Sequence, residues 1–125
     1  MQYLVDTVGL VRHFTKNGRM GHTAEHILKT GNGLAISVIS LMEIMYLAEK
    51  HRIAINLTET LTRITKSSRY TIVNLSPDIL QVAETIDFYE LHDRLILATA
   101  KRHELKVISS DGAFSTVEGI ETIWD

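Results

Sequence analysis

Leu34-Ala35-Ile36-Ser37-Val38 is a nearly unbroken apolar run between the turn-forming Gly31-Asn32-Gly33 and a helical stretch of about Leu41 to His51. A strand with one face in water alternates apolar and polar residues. This one does not, so it predicts a strand buried on both faces, as parallel sheets require. Ser40-Leu41-Met42-Glu43 reads as a capping box opening the helix. Met42, Ile44, Met45, Tyr46 and Leu47 are expected mostly in the core, with a partner-facing groove as the lesser reading.

The same pairing of short apolar strand and helix recurs on either side. Tyr3-Leu4-Val5 precedes a helix of about Thr7 to Phe14, which Asn17-Gly18 breaks, and a second helix runs from His22 to Thr30. Asn56 to Lys66 reads as a helix capped by Asn56, and Tyr70-Thr71-Ile72-Val73 as a strand. Ser76-Pro77 opens another helix, with proline in the first turn where its missing N–H costs nothing. Asp93 to His103 is helical, Lys106-Val107-Ile108-Ser109 is a fourth strand, and Ile120 to Trp124, after Gly119, is a fifth. Short strands separated by helices predict one domain spanning residues 1–125. Its architecture is an α/β, three-layer α/β/α sandwich on a five-stranded parallel sheet of order 3-2-1-4-5.

The 125 residues suffice for one sizeable core, and 45% are hydrophobic. There are no cysteines, which excludes disulfides and thiolate metal sites and fits a reducing cytoplasm. No apolar run is long enough to span a membrane, and no signal peptide is expected at the N-terminus. The net charge is −2, but residues 7–75 hold nine Lys/Arg against four Asp/Glu, and residues 76–125 hold four against ten. Such polarity suits a basic rim beside an acidic pocket, or simply an unevenly charged surface.

Ligands of open parallel sheets collect beyond the carboxyl ends of the strands. Asp6 ends the first strand, and Asp111 follows the fourth. Glu43 lies in the first turn of the helix after the second strand, and Asp93 at the start of the helix leading into the fourth. Together they would form an acidic cluster. Two unit charges about 4 Å apart repel by roughly 4 kcal/mol at an effective dielectric of about 20, so such a cluster takes up protons or cations. An all-oxygen donor set favours Mg2+ or Mn2+, and such ions promote phosphodiester hydrolysis.

Taken singly, each acid has a plainer reading. Glu43 would complete the capping box, Asp93 would complement a helix dipole, and Asp111-Gly112 would be a turn. Asp6 has the least evident structural use.

Tyr3-Leu4-Val5-Asp6-Thr7, Ser37-Val38-Ile39-Ser40-Leu41-Met42-Glu43-Ile44, His92-Asp93-Arg94-Leu95-Ile96-Leu97-Ala98-Thr99-Ala100 and Val107-Ile108-Ser109-Ser110-Asp111-Gly112-Ala113-Phe114 resemble, in order and spacing, the four acidic motifs of PIN-domain proteins. The resemblance covers essentially the whole chain. It implies a Mg2+- or Mn2+-dependent endoribonuclease with Asp6, Glu43, Asp93 and Asp111 as catalytic metal ligands, and with Thr7 and Ser109 as supporting polar neighbours. In bacterial VapC-like members of this size it further implies a homodimeric toxin with a protein antitoxin and an RNA substrate. One departure stands out: Val8 occupies a position where many relatives carry a polar residue. It keeps alive the alternative of a catalytically weak module that grips RNA or protein.

Arg94 is a candidate phosphate contact or an ion-pair partner of Glu90. Arg12 and Lys16 belong to a basic stretch with Arg19 and Lys29 that would line an RNA path. His22-Thr23-Ala24-Glu25-His26 matches the zinc-protease pattern H-x-x-E-H, but it is short and lacks a third ligand nearby. Exposed histidines in a basic stretch are the better reading.

Overall fold

The computed structural model describes all 125 residues. Five parallel strands, β1 (Tyr3–Val5), β2 (Leu34–Ser37), β3 (Tyr70–Val73), β4 (Lys106–Ile108) and β5 (Thr122–Ile123), form one sheet of order β3-β2-β1-β4-β5. Six α-helices join them: α1 (Thr7–Thr15), α2 (His22–Thr30), α3 (Val38–Glu49), α4 (Leu57–Thr65), α5 (Pro77–Glu84) and α6 (Leu91–Arg102). The expected fold class and strand order are those observed.

Neighbouring residues on each strand point to opposite faces, and both faces are buried. Leu4, Ala35 and Val107 pack with Ile79 and Ala83 of α5 and with Leu95 to Ala100 of α6. Val5, Leu34, Ile36 and Ile108 pack with Leu10, Phe14, Leu28 and Ile64 on the other side. Two helical layers therefore enclose the sheet, which explains why the strands read as continuous apolar runs.

Three boundaries differ from expectation. Helix α3 starts at Val38, with Ser37 as its N-cap accepting from the Ile39 N–H at 3.0 Å. The capping box at Ser40 is therefore absent: Ser40 lies inside the helix, fully buried, and Glu43 has no capping role. Helix α6 starts at Leu91, because the Glu90 carboxylate accepts from the Asp93 N–H at 2.6 Å. Strand β5 spans only Thr122–Ile123, the stretch that pairs with β4.

The core expectation for α3 holds only in part. Ile44 is buried, but Met42, Met45 and Tyr46 are exposed. Helix α3 offers its Leu41 and Ile44 side to the core and leaves an apolar face in solvent. No helix of the structure is long and apolar enough to cross a membrane.

Candidate functional site

Strand order changes direction at the β1–β4 pair, where Tyr3, Leu4 and Val5 align with Lys106, Val107 and Ile108. Asp6 and Ser109 leave that pair side by side, and the Asp6 N–H donates to the Ile108 carbonyl at 3.1 Å. The Ser109 hydroxyl donates to Asp6 Oδ2 at 2.6 Å and accepts from the Asp111 N–H at 3.0 Å. One serine thus holds the first acid and fixes the backbone of the last, across 103 residues of sequence.

Asp6 also has a structural use that its sequence context did not reveal. It is the N-cap of α1, and its Oδ1 accepts from the Gly9 N–H at 2.7 Å. A Cβ at position 9 would stand 2.8 Å from that oxygen, so glycine there lets the carboxylate sit against the helix. Gly9 escaped notice, although a cap bonds the N–H three residues on and the Asp6-to-Gly9 spacing carries that signal.

On the other side of the site, Thr7 Oγ1 donates to Glu43 Oε1 at 2.7 Å and lies 2.9 Å from the Ser40 hydroxyl. Buried Ser40, a helix cap by local sequence alone, instead meets Thr7 at the site and carries no motif that signals this. Asp111 is exposed and accepts from the Ala113 N–H at 2.9 Å, capping the 3-10 turn Gly112–Thr116. Its turn-forming reading and its place beside Ser109 hold together.

The electrostatics report how the four acids gather. Partial burial, then the carboxylates of Glu90, Glu43, Asp111 and Asp6, raise the Asp93 carboxyl from its ordinary value to about 6. Burial likewise raises Asp6, against the lowering effect of Ser109 and Gly9; Asp111 adds to the rise and Arg12 opposes it. Asp93 thus lies in the field of the other three acids, and Asp6 in that of Asp111. No three Asp, Glu or His side chains are placed so that they could hold a metal ion together, however. The donor set is all oxygen and bears excess negative charge, which fits a hard divalent cation in chemistry.

The Asp93 shift sets a pH dependence. A folded-state value raised above the ordinary 3.8 means the native state binds the proton more tightly than the unfolded chain. The resulting stability is fully present below about pH 4 and disappears as pH rises through about 6. Thermal melts of metal-free protein should show this decline, and Asp93→Asn should flatten it. An unchanged profile in the variant would count against the acidic cluster.

Of the remaining candidates, Arg94 does not form the ion pair with Glu90 that was one of its two readings, and the α2 histidines are exposed as the favoured reading has them. Arg94 makes no ion pair, and its buried Nε has no partner. Glu90 instead engages His92 Nδ1 at 3.1 Å and the Asp93 N–H. His22 and His26 are exposed on α2, and Glu25 pairs with Lys29 at 2.8 Å. The zinc-protease pattern therefore assembles no metal site.

A single parallel sheet whose strand order reverses between β1 and β4 places Asp6, Ser109 and Asp111 at the carboxyl ends of that pair, the usual address of ligands in such sheets, and the sequence comparison specifies the family. The PIN domain family matches residues 3–120, and the chain belongs to it. Among solved structures, a toxin–antitoxin complex from Klebsiella pneumoniae matches at 30% identity with a TM-score of 0.66, over 95% of each chain. VapBC2 from Rickettsia felis, bound to a DNA fragment of its promoter, matches at 19% identity and TM-score 0.74 over 100% of each chain. VapC20 from Mycobacterium tuberculosis, described as a sarcin-ricin loop cleaving toxin, matches at 18% identity and TM-score 0.69, over 92% of this chain and 94% of that one. No curated protein sequence matches the chain.

Proposed function

We propose that the chain is a Mg2+- or Mn2+-dependent endoribonuclease, the toxin of a toxin–antitoxin pair, with Asp6, Glu43, Asp93 and Asp111 as its metal-holding acids. The observation that carries this reading is the hydrogen-bond network at the strand ends, in which Ser109 holds the Asp6 carboxylate and the Asp111 backbone and Thr7 holds Glu43; burial, then Glu90 and these three acids, raise the Asp93 carboxyl to about 6. Family membership and the 30% identical chain from a toxin–antitoxin complex support it.

When bound, the cation would neutralise charge on the scissile phosphodiester and lower the pKa of the attacking water. The chain's own groups prepare for it. Ser109 and the Gly9 N–H hold the Asp6 carboxylate from two sides, and Thr7 fixes the rotamer of Glu43. Neighbours that hold ligands in this way typically matter about 10–100-fold for metal affinity or activity. Asp93 keeps its proton up to about pH 6 in the metal-free protein, and as a ligand it would have to be ionised, so cation binding would be coupled to release of that proton.

The exposed Met42, Met45 and Tyr46 of α3 offer an apolar surface to a second copy or an antitoxin, in keeping with a homodimer that binds an antitoxin in the cytoplasm. The test is direct: purified protein with single-stranded RNA should cut internally with Mn2+ or Mg2+ and stop on adding excess chelator. Cleavage that persists in chelator would sink the proposal.

A second reading, a PIN-type binding module with weak catalysis, is favoured by one observation: no three of the acids are placed so that they could hold a metal ion together. Calorimetry with Mn2+ separates the two, because a module without a metal site gives no binding heat.

A further inference from the structure

A cavity of about 860 Å3 lies between α1, the C-terminal end of α3 and the turn that follows, with Thr7 in its lining. Arg12, Lys16, His51 and Arg52 line it, and no Asp or Glu does. Its floor includes Val8 and Val11. Thr7 joins the cavity to the acids: it lines the wall while its hydroxyl donates to Glu43 at 2.7 Å.

Arg12 is fixed from behind, and the turn carrying His51 and Arg52 is held by its backbone. An Arg12 guanidinium nitrogen donates to the Arg19 carbonyl at 3.0 Å. His51 adopts a φ of 55°, in the left-handed region that favours glycine. Its turn is closed by the Arg52 N–H on the Leu47 carbonyl at 2.9 Å. Arg12 and Lys16 also line a second cavity of about 380 Å3 with His13, Lys29 and Arg63. The one acid there, Glu25, is neutralised by Lys29 at 2.8 Å. A cationic track therefore leaves the acidic cluster along α1, whose nine residues span about 13 Å at 1.5 Å each.

We infer that this groove seats the phosphates of the RNA flanking the scissile bond, with Lys16 and Arg52 as backbone contacts beside Arg12. The inference rests on the nuclease reading. A chain with net charge −2 and an acidic site repels a polyanion at its own centre, and the groove supplies opposite charge at the adjoining wall. The apolar floor gives unpaired bases a surface that backbone contacts alone do not use.

The test uses Asp6→Asn protein, which binds without cutting, and a labelled single-stranded RNA of about a dozen nucleotides titrated across a salt series. Neutralising each phosphate of a single strand contributes about 0.7 to the slope of log K against log salt. Adding Lys16→Ala and Arg52→Ala should weaken binding and lower that slope by about 1.4. Adding Lys66→Ala and Lys106→Ala, which remove the same charge elsewhere, should leave the slope unchanged. Both changed residues in the groove are exposed, and melting curves verify that all variants fold.

Equal slopes in the two double variants would overturn the groove while leaving the cleavage reading intact. Competition by a polyglutamate peptide as effective as unlabelled RNA would overturn it too, by assigning the groove to acidic protein. A wild-type protein that fails to cut RNA yet shows the slope change would retire the nuclease reading and keep the groove.

Discussion

Asp6→Asn should abolish Mn2+-dependent RNA cleavage, by on the order of 10^3-fold, the scale of losing a key electrostatic group at a reacting centre, while the protein stays folded. Asparagine is as good an N-cap as aspartate, so the bond from the Gly9 N–H to Oδ1 survives. The Ser109 hydroxyl retains a polar partner in the new amide. Burial raises the Asp6 carboxyl above its ordinary value, so the ionised side chain is strained in the metal-free fold. Neutralising it should leave the melting temperature of metal-free protein at pH 7 equal to or above that of wild type. Cleavage rates, metal-binding heats and melting curves on one preparation separate the effects. Activity within tenfold of wild type, with an unchanged Mn2+ requirement, would remove Asp6 from the site.

That pairing of lost activity with kept stability reflects how little of the site's local structure was legible. The strands were readable because burial on both faces leaves unbroken apolar runs such as Leu34 to Ile36. The helix between each pair signalled parallel strands without ordering them, and it is the order β3-β2-β1-β4-β5 that brings the ends of β1 and β4 together. From there the meeting of Asp6 with Ser109 and Asp111 is nearly forced.

The hydroxyls that organise the acids were harder to read. Ser37 and Ser40 are both preferred caps, and only packing decides which one starts the helix. Ser40 lies fully buried near Thr7, an environment no local propensity reports. The exposed face of α3 was misjudged for a related reason: Met42, Met45 and Tyr46 are apolar, and composition alone does not distinguish core from unpartnered surface. Arg52 and His51 in the groove have no motif at all, since their role depends on the turn after α3 lying against α1.

Gly21→Ala should be the most destabilising single methyl in the chain, about 3 kcal/mol at the upper end of ordinary overpacking, or roughly 10 °C in Tm. Gly21 is the N-cap of α2, with an ordinary φ of −63°, so glycine is not required there by backbone conformation. Space requires it: a Cβ would land on the carbonyl group of Trp124. That carbonyl accepts from the Ala24 N–H at 2.9 Å, tying the C-terminal strand to the start of α2. Relieving the clash means moving Trp124 and giving up that bond. The effect should extend to the acids, because the Trp124 ring stands 3.6 Å from where a Gly9 Cβ would be, on the residue that bonds Asp6. Gly21, Trp124, Gly9 and Asp6 form one packed row, so the variant should lose cleavage activity at temperatures well below its own melting point. A Gly21→Ala protein that melts like wild type, or keeps full activity up to its melting point, would show that the row yields without transmitting the displacement.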